Sequence, residues 1–225
     1  MRLRAVLWIA RKDLLVELRS RHTLSFMLLF STLSVVFFSR VAGAYVGTTP
    51  GIAPGYLWLV FLFTGMLGTG RAFLREKEAN TLDALRAMPV SAAEILTGKA
   101  VYNFLLLFGV QCVVFPVFLV FMDIQVKGSL LLAFAVLSLS NLSFVVLSSA
   151  VSALVLGARA REVLLPVLLM PLLFPLLVLS VSALNRVLTG GAGVLAIESE
   201  LRLLLAYTGV SSVIALLTSE AALQE

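Results

Sequence analysis

The run Arg75-Glu76-Lys77-Glu78-Ala79-Asn80-Thr81-Leu82-Asp83-Ala84-Leu85-Arg86-Ala87-Met88-Pro89 is the only long polar island in an otherwise apolar chain. Its charges exclude it from hydrocarbon, yet Leu82, Leu85 and Met88 recur at helical spacing. A charged helix with an apolar stripe, held between two apolar runs, is suited to seat against a macromolecule outside the bilayer. Its chemistry is recognition. The candidate docking residues are Arg75, Glu76, Glu78, Leu82, Leu85, Arg86, Met88 and Pro89.

Residue types that carry catalysis are scarce. Cys112 is the only cysteine and lies inside an apolar run, which excludes an intrachain disulfide and a cysteine-based metal or redox centre. His22 is the only histidine. At the entry to an apolar run it invites an iron-ligand reading, but no second axial ligand is positioned, and an interfacial residue is the simpler account. No G-x-x-x-x-G-K-[S/T] run is present, so the chain has no P-loop for ATP. No Ser/His/Asp set or carboxylate pair falls within the apolar runs. No catalytic and no metal-binding residue is assigned, and energy for any work must come from a partner.

The elements that position the polar island follow from composition. The 225 residues are 60% hydrophobic and 13% charged, with a mean hydropathy of +1.07; soluble domains carry about 25% charged residues. The chain reads as an all-α integral membrane protein. A crossing needs about 20 apolar residues. Six are expected, at 23–41, 53–74, 100–122, 130–156, 163–184 and 201–217, with 75–99 as a cytoplasmic connection. The fourth exceeds a perpendicular crossing, which predicts tilt. Glu198, Glu200 and Arg202 crowd the start of the sixth. No secretory signal peptide is expected, because about twenty residues rich in charge precede the first apolar run and no small-residue cleavage site follows.

Lys and Arg set the orientation. Six precede the first span (Arg2, Arg4, Arg11, Lys12, Arg19, Arg21). Five flank the second connection (Arg71, Arg75, Lys77, Arg86, Lys99), and Arg159 and Arg161 lie between spans four and five. Only Arg40, Lys127, Arg186 and Arg202 fall on the opposite side. The majority side is cytoplasmic, so both termini are expected inside. The pI of about 9.8 is then a topology signal and not a mark of nucleic-acid binding.

Residues 2–22 read as a basic amphipathic helix with Leu3, Val6, Leu7, Ala10, Leu14 and Leu18 on one face; Trp8, Ile9, Leu15 and Val16 blur the separation. Such a helix lies in the membrane interface; the alternative is a cytoplasmic extension of the first span. In the connection, Asn80 is a cap candidate and Pro89 interrupts the helix. Ser91-Ala92-Ala93-Glu94 is a capping box that starts a fresh helix into the third span.

Three prolines, Pro166, Pro171 and Pro175, fall in the fifth span, so that helix is expected to be kinked or broken. They are hinge candidates, with static bending for packing as the alternative. Ser138, Asn141, Ser148, Ser149 and Ser152 form a polar stripe on the fourth span, and Asn103 and Gln111 do the same on the third. Such residues usually join helices; a substrate path is the alternative. No ionisable residue falls in mid-span, which disfavours proton- or sodium-driven transport. Outside, 43–55 reads as an irregular loop, and Tyr56 and Trp58 are placed near the outer interfacial belt. The second outer segment, 184–197, is a flexible turn or part of a re-entrant hairpin.

An amphipathic N-terminal segment, six spans and Arg-Glu-x-Glu-x-x-Thr-Leu-x-x-Leu-x-x-x-Pro-Val together resemble permeases of the ABC-2 type. Ala53-Pro54-Gly55-Tyr56-Leu57-Trp58-Leu59-Val60 and the triple-proline run through Leu176 narrow this. The whole chain resembles the haem exporter protein B family, membrane permease subunits of the cytochrome c maturation transporter. The resemblance implies the ABC-2 permease fold, a bacterial inner-membrane location and a homodimer of this permease. It implies a cytoplasmic ATPase subunit on the docking segment, with ATP bound there. Further implied partners are a haem-handling membrane subunit with a small single-span companion, and a periplasmic haem chaperone; haem resides on these partners, and no cofactor is held directly. ATP hydrolysis is linked to haem delivery or chaperone release, and the resemblance does not assign haem export to this subunit itself. Mechanically, closure of the ATPase pair is expected to push on 76–99, with spans two and three transmitting and the fifth yielding. An ABC-2 permease for a lipid, glycan or drug is the alternative, distinguished by a continuous polar path between spans.

Overall fold

The computed structural model describes residues 2–46, 51–69, 90–155, 158 and 160–224. Among these the chain is all-α, with no strand. The helices are α1 (Leu3–Ser20), α2 (His22–Val46), α3 (Ile52–Thr69), α4 (Ala92–Phe121), α5 (Leu130–Leu154), α6 (Arg161–Leu188) and α7 (Glu198–Gln224), with a 3-10 turn at Val194–Ile197. Five stretches are long and apolar enough to cross a bilayer: His22–Val41, Ala92–Phe121, Leu130–Leu154, Val163–Leu188 and Val194–Ser219. The apolar part of α3, Ile52–Gly68, is shorter. Together they make a multi-span membrane protein.

Helix α5 is the centre of the bundle. It packs chiefly against α6 and α7, and against α4 and α3. Its polar stripe is spent on helix pairing. Gln111 of α4 donates to the Ser138 hydroxyl (2.8 Å) and the Phe134 carbonyl (3.2 Å), and Asn141 donates to Gln111 Oε1 (2.7 Å). Asn103 donates to Ser149 (3.2 Å). On the other faces, the Ser143 and Thr208 hydroxyls pair α5 with α7, and Ser140 Oγ lies 2.9 Å from Ser180 Oγ on α6. With no hydrophobic force between helices in lipid, such bonds and close packing hold a bundle. Gly65 of α3 supplies the close approach: a side chain there would run into the Phe144 ring.

Two expectations change. Trp58 does not face out of the bundle. It is buried, and its indole N–H donates to Ser180 at 2.7 Å, tying α3 to α6. The fifth span is not broken: α6 is one uninterrupted helix through Pro166, Pro171 and Pro175. Irregularity in a bilayer requires that exposed carbonyls find partners. In the turn preceding Pro175, the Leu172 carbonyl accepts a hydrogen bond from the Tyr207 hydroxyl of α7.

The end of the bundle that holds the α6–α7 turn is knitted together across elements. Arg186 pairs with Glu200 at 2.7 Å, joining the end of α6 to the start of α7. Asn185 Oδ1 accepts from the Gly51 N–H (2.9 Å), and the Leu188 carbonyl accepts from the Lys127 N–H (2.9 Å). The segment between α6 and α7 is a short turn followed by the 3-10 helix.

Candidate functional site

The docking candidates Arg75, Glu76, Glu78, Leu82, Leu85, Arg86, Met88 and Pro89 lie outside the described residues, as does the Asn80 cap. What the structure describes is the frame on which that segment is mounted: the end of α3 at Thr69, and the return of the chain at Val90 into α4.

The return is fixed by the capping box. Ser91 is extended (φ −76, ψ 155); its hydroxyl accepts from the Glu94 N–H, and Glu94 reaches back to the Ser91 N–H at 3.0 Å. This satisfies orphan donors that open every helix. Glu94 has a second task that local spacing does not reveal. Its other carboxylate oxygen accepts from the backbone N–H of Arg2, the N-cap residue of α1, which has no side-chain cap of its own. One carboxylate therefore holds the starts of two helices.

From there α1 lies along the first turns of α4. Gly98 makes the fit possible, since a Cβ at that position would stand 2.8 Å from Ile9 Cβ and 3.1 Å from the Val6 carbonyl. The next residue, Lys99, with only 1% of its side chain exposed, meets Asp13, one turn beyond Ile9 on α1, at 3.3 Å. Asp13 also pairs with Lys12 at 3.2 Å. At the far end of α1 a third carboxylate, Glu17, is buried and accepts from the Leu24 N–H of α2 at 2.9 Å. Arg21, in the left-handed region (φ 56), donates its N–H to the Glu17 carbonyl and turns the chain directly into α2.

The protein-facing side of α1 is thus Val6, Ile9, Ala10 and Glu17, with Asp13 between them. Of the face read from the sequence, Val6 and Ala10 turn toward the protein, whereas Leu3, Leu7 and Leu18 are exposed, together with Trp8, Leu15 and Val16. The blurred amphipathicity has a physical cause. The helix carries two apolar faces, one against α4 and one outward, where the Arg11 guanidinium lies 5.3 Å from the Trp8 ring centre. Below the frame, Ile9, Ile95, Leu96, Ala150, Ala153 and Ala215 form a small core that joins α1, α4, α5 and α7, with Val90 packed on it.

Among the described residues no group of three or more His, Cys, Asp or Glu side chains is placed to hold a metal ion. His22 is exposed at the start of α2, and Cys112 is exposed on α4. The hinge candidates Pro166, Pro171 and Pro175 all lie on α6, which packs chiefly against α5, α7 and α3.

Comparison with known proteins agrees with this architecture. The chain is similar to heme exporter protein B of Rhodobacter capsulatus, at 30% identity over 173 residues, which is 77% of each chain. The profile described as CcmB protein matches residues 4–225, from the first turn of α1 through the end of α7. The chain belongs to the CcmB family.

Proposed function

We propose that this chain is the non-catalytic permease subunit of an ABC transporter in c-type cytochrome biogenesis. It couples ATP hydrolysis by a cytoplasmic partner to haem delivery, or to release of the haem-loaded periplasmic chaperone. In this reading α3 is a sixth, short crossing, both termini are cytoplasmic, α1 lies at the inner interface, and the bundle is an ABC-2 permease fold working as a homodimer. ATP sits on the ATPase, and haem on the haem-handling membrane subunit with its small single-span companion and on the chaperone. The membrane is the bacterial inner membrane.

The family match over residues 4–225 carries this reading, because it includes the polar segment between α3 and α4. Two features support it: the chain has no P-loop of its own, and the capping box, buried ion pair and close-packed glycine brace the base of that segment. The test is complementation of a chromosomal deletion. Deletion removes all c-type cytochromes and leaves b-type haem intact; the native chain restores them. Leu82→Asp with Leu85→Asp inserts in the membrane, does not co-purify with the ATPase and restores nothing. Retention of the ATPase by that variant contradicts the docking assignment.

A further inference from the structure

We propose that α1 is a strut that carries displacement from the base of the docking segment to α2, with Glu94, Gly98, Asp13–Lys99 and Glu17 as its fastenings. The proposal rests on the reading above that an ATPase acts on residues 75–89. In that reading taken alone, force leaves the segment through its two covalent neighbours, α3 and α4. The geometry adds a third route.

The strut is fixed at both ends and in the middle. At its start, the Arg2 N–H is held by Glu94, three residues past the N-cap of α4 and five past Pro89. In its middle, Ile9 sits on Gly98 with no room for a Cβ, and Asp13 holds the buried Lys99 ammonium at 3.3 Å. At its end, Glu17 holds the N–H of Leu24, the third residue of α2, at 2.9 Å, and Arg21 leaves no slack between the two helices. A charged residue whose partner is on another helix resists sliding, because slippage by one turn strands a charge that water does not reach. A helix rising about 1.5 Å per residue and packed side by side with α4 moves with it as one body. The first residues of α4 therefore cannot shift without taking α1, and α1 cannot shift without moving the start of α2.

Helix α2 is suited to respond. It contacts chiefly α3 and α4, and most of its outward side (Phe26, Leu29, Leu33, Phe37) is exposed apolar surface. Among the described residues, no tightly packed neighbour covers those four side chains.

The experiment uses the full chain assembled with its ATPase partner in membranes, with Cys112→Ser to remove the native thiol and His22→Cys as a reporter at the exposed start of α2. The readout is the rate of maleimide labelling at position 22 with and without ATP, with ATP hydrolysis followed in the same sample. We expect ATP to change the labelling rate about fivefold, the size of a coupling of about 1 kcal/mol between sites. Asp13→Asn with Glu94→Gln abolishes the change while the ATPase stays bound and active, and Asp13→Glu alone preserves it. Gly98→Ala retains every charge and wedges α1 away from α4; it also abolishes the change, and it decides the matter if the double variant fails to assemble. An undiminished ATP-dependent change in either unlatched variant overturns the strut, as does an unresponsive position 22 in the latched complex during hydrolysis. Both results leave the docking reading standing. That reading fails separately, if Leu82→Asp with Leu85→Asp keeps its ATPase.

Discussion

Lys99 counts in the sequence as one more cytoplasmic positive charge, and in the folded chain it is a buried cation with the Asp13 carboxylate 3.3 Å away. Such a pair stabilises little over an apolar pair of similar size, yet breaking it is costly, because the remaining charge is left uncompensated. We expect Asp13→Leu alone to cost about 3–5 kcal/mol and Lys99→Met with Asp13→Leu to recover most of it; thermal melting of the solubilised chain measures both. A single variant that melts with the native chain refutes the pairing. The same residues mark what was readable in advance. The Ser91/Glu94 box is local, three residues apart, and the spacing announces it. The second bond of Glu94 joins residues 92 apart and the Lys99 bond joins residues 86 apart. No periodicity in the chain specifies either, because both depend on where α1 lies.

Among elements, α1 and α6 depart furthest from their sequence patterns. A helix buried on one stripe and exposed on another apolar stripe gives a confused face to the eye, and that is α1: Val6, Ile9 and Ala10 inward, Leu7, Trp8 and Leu15 outward. In α6 the three prolines suggest a kink or a break, and the helix runs through all three without interruption. The polar residues of α4 and α5 were legible as helix-joining groups, since small and amide side chains at helical spacing have that role in lipid. Their individual partners were not. The hinge reading of α6 predicts that Pro175→Ala, which restores a backbone N–H, stabilises the solubilised chain by about 0.5–2 kcal/mol while lowering c-type cytochrome yield. Calorimetry and haem staining check the two halves. Unchanged yield at raised stability identifies the prolines as static bends.

At the scale of the whole molecule, the length of the apolar runs makes the chain an all-α, multi-span protein, since about 20 consecutive apolar residues suit a membrane helix and not the shorter, alternating strand of a barrel. The five long apolar helices and the shorter apolar stretch Ile52–Gly68 follow from runs visible in the sequence. Their arrangement around α5 does not, because apolar residues that face lipid and apolar residues that face protein look alike in one dimension. Function is read from a different signal: a polar segment whose charges exclude it from hydrocarbon, followed by a capped helix. The central claim is that this segment meets an ATP-hydrolysing partner on the cytoplasmic side. The most direct measurement places a photoreactive amino acid at Leu82 in the assembled complex in intact membranes. The account predicts a covalent adduct with the ATPase subunit, sensitive to cytoplasmic protease. Adducts with lipid alone, or protection of that adduct from cytoplasmic protease, would contradict it.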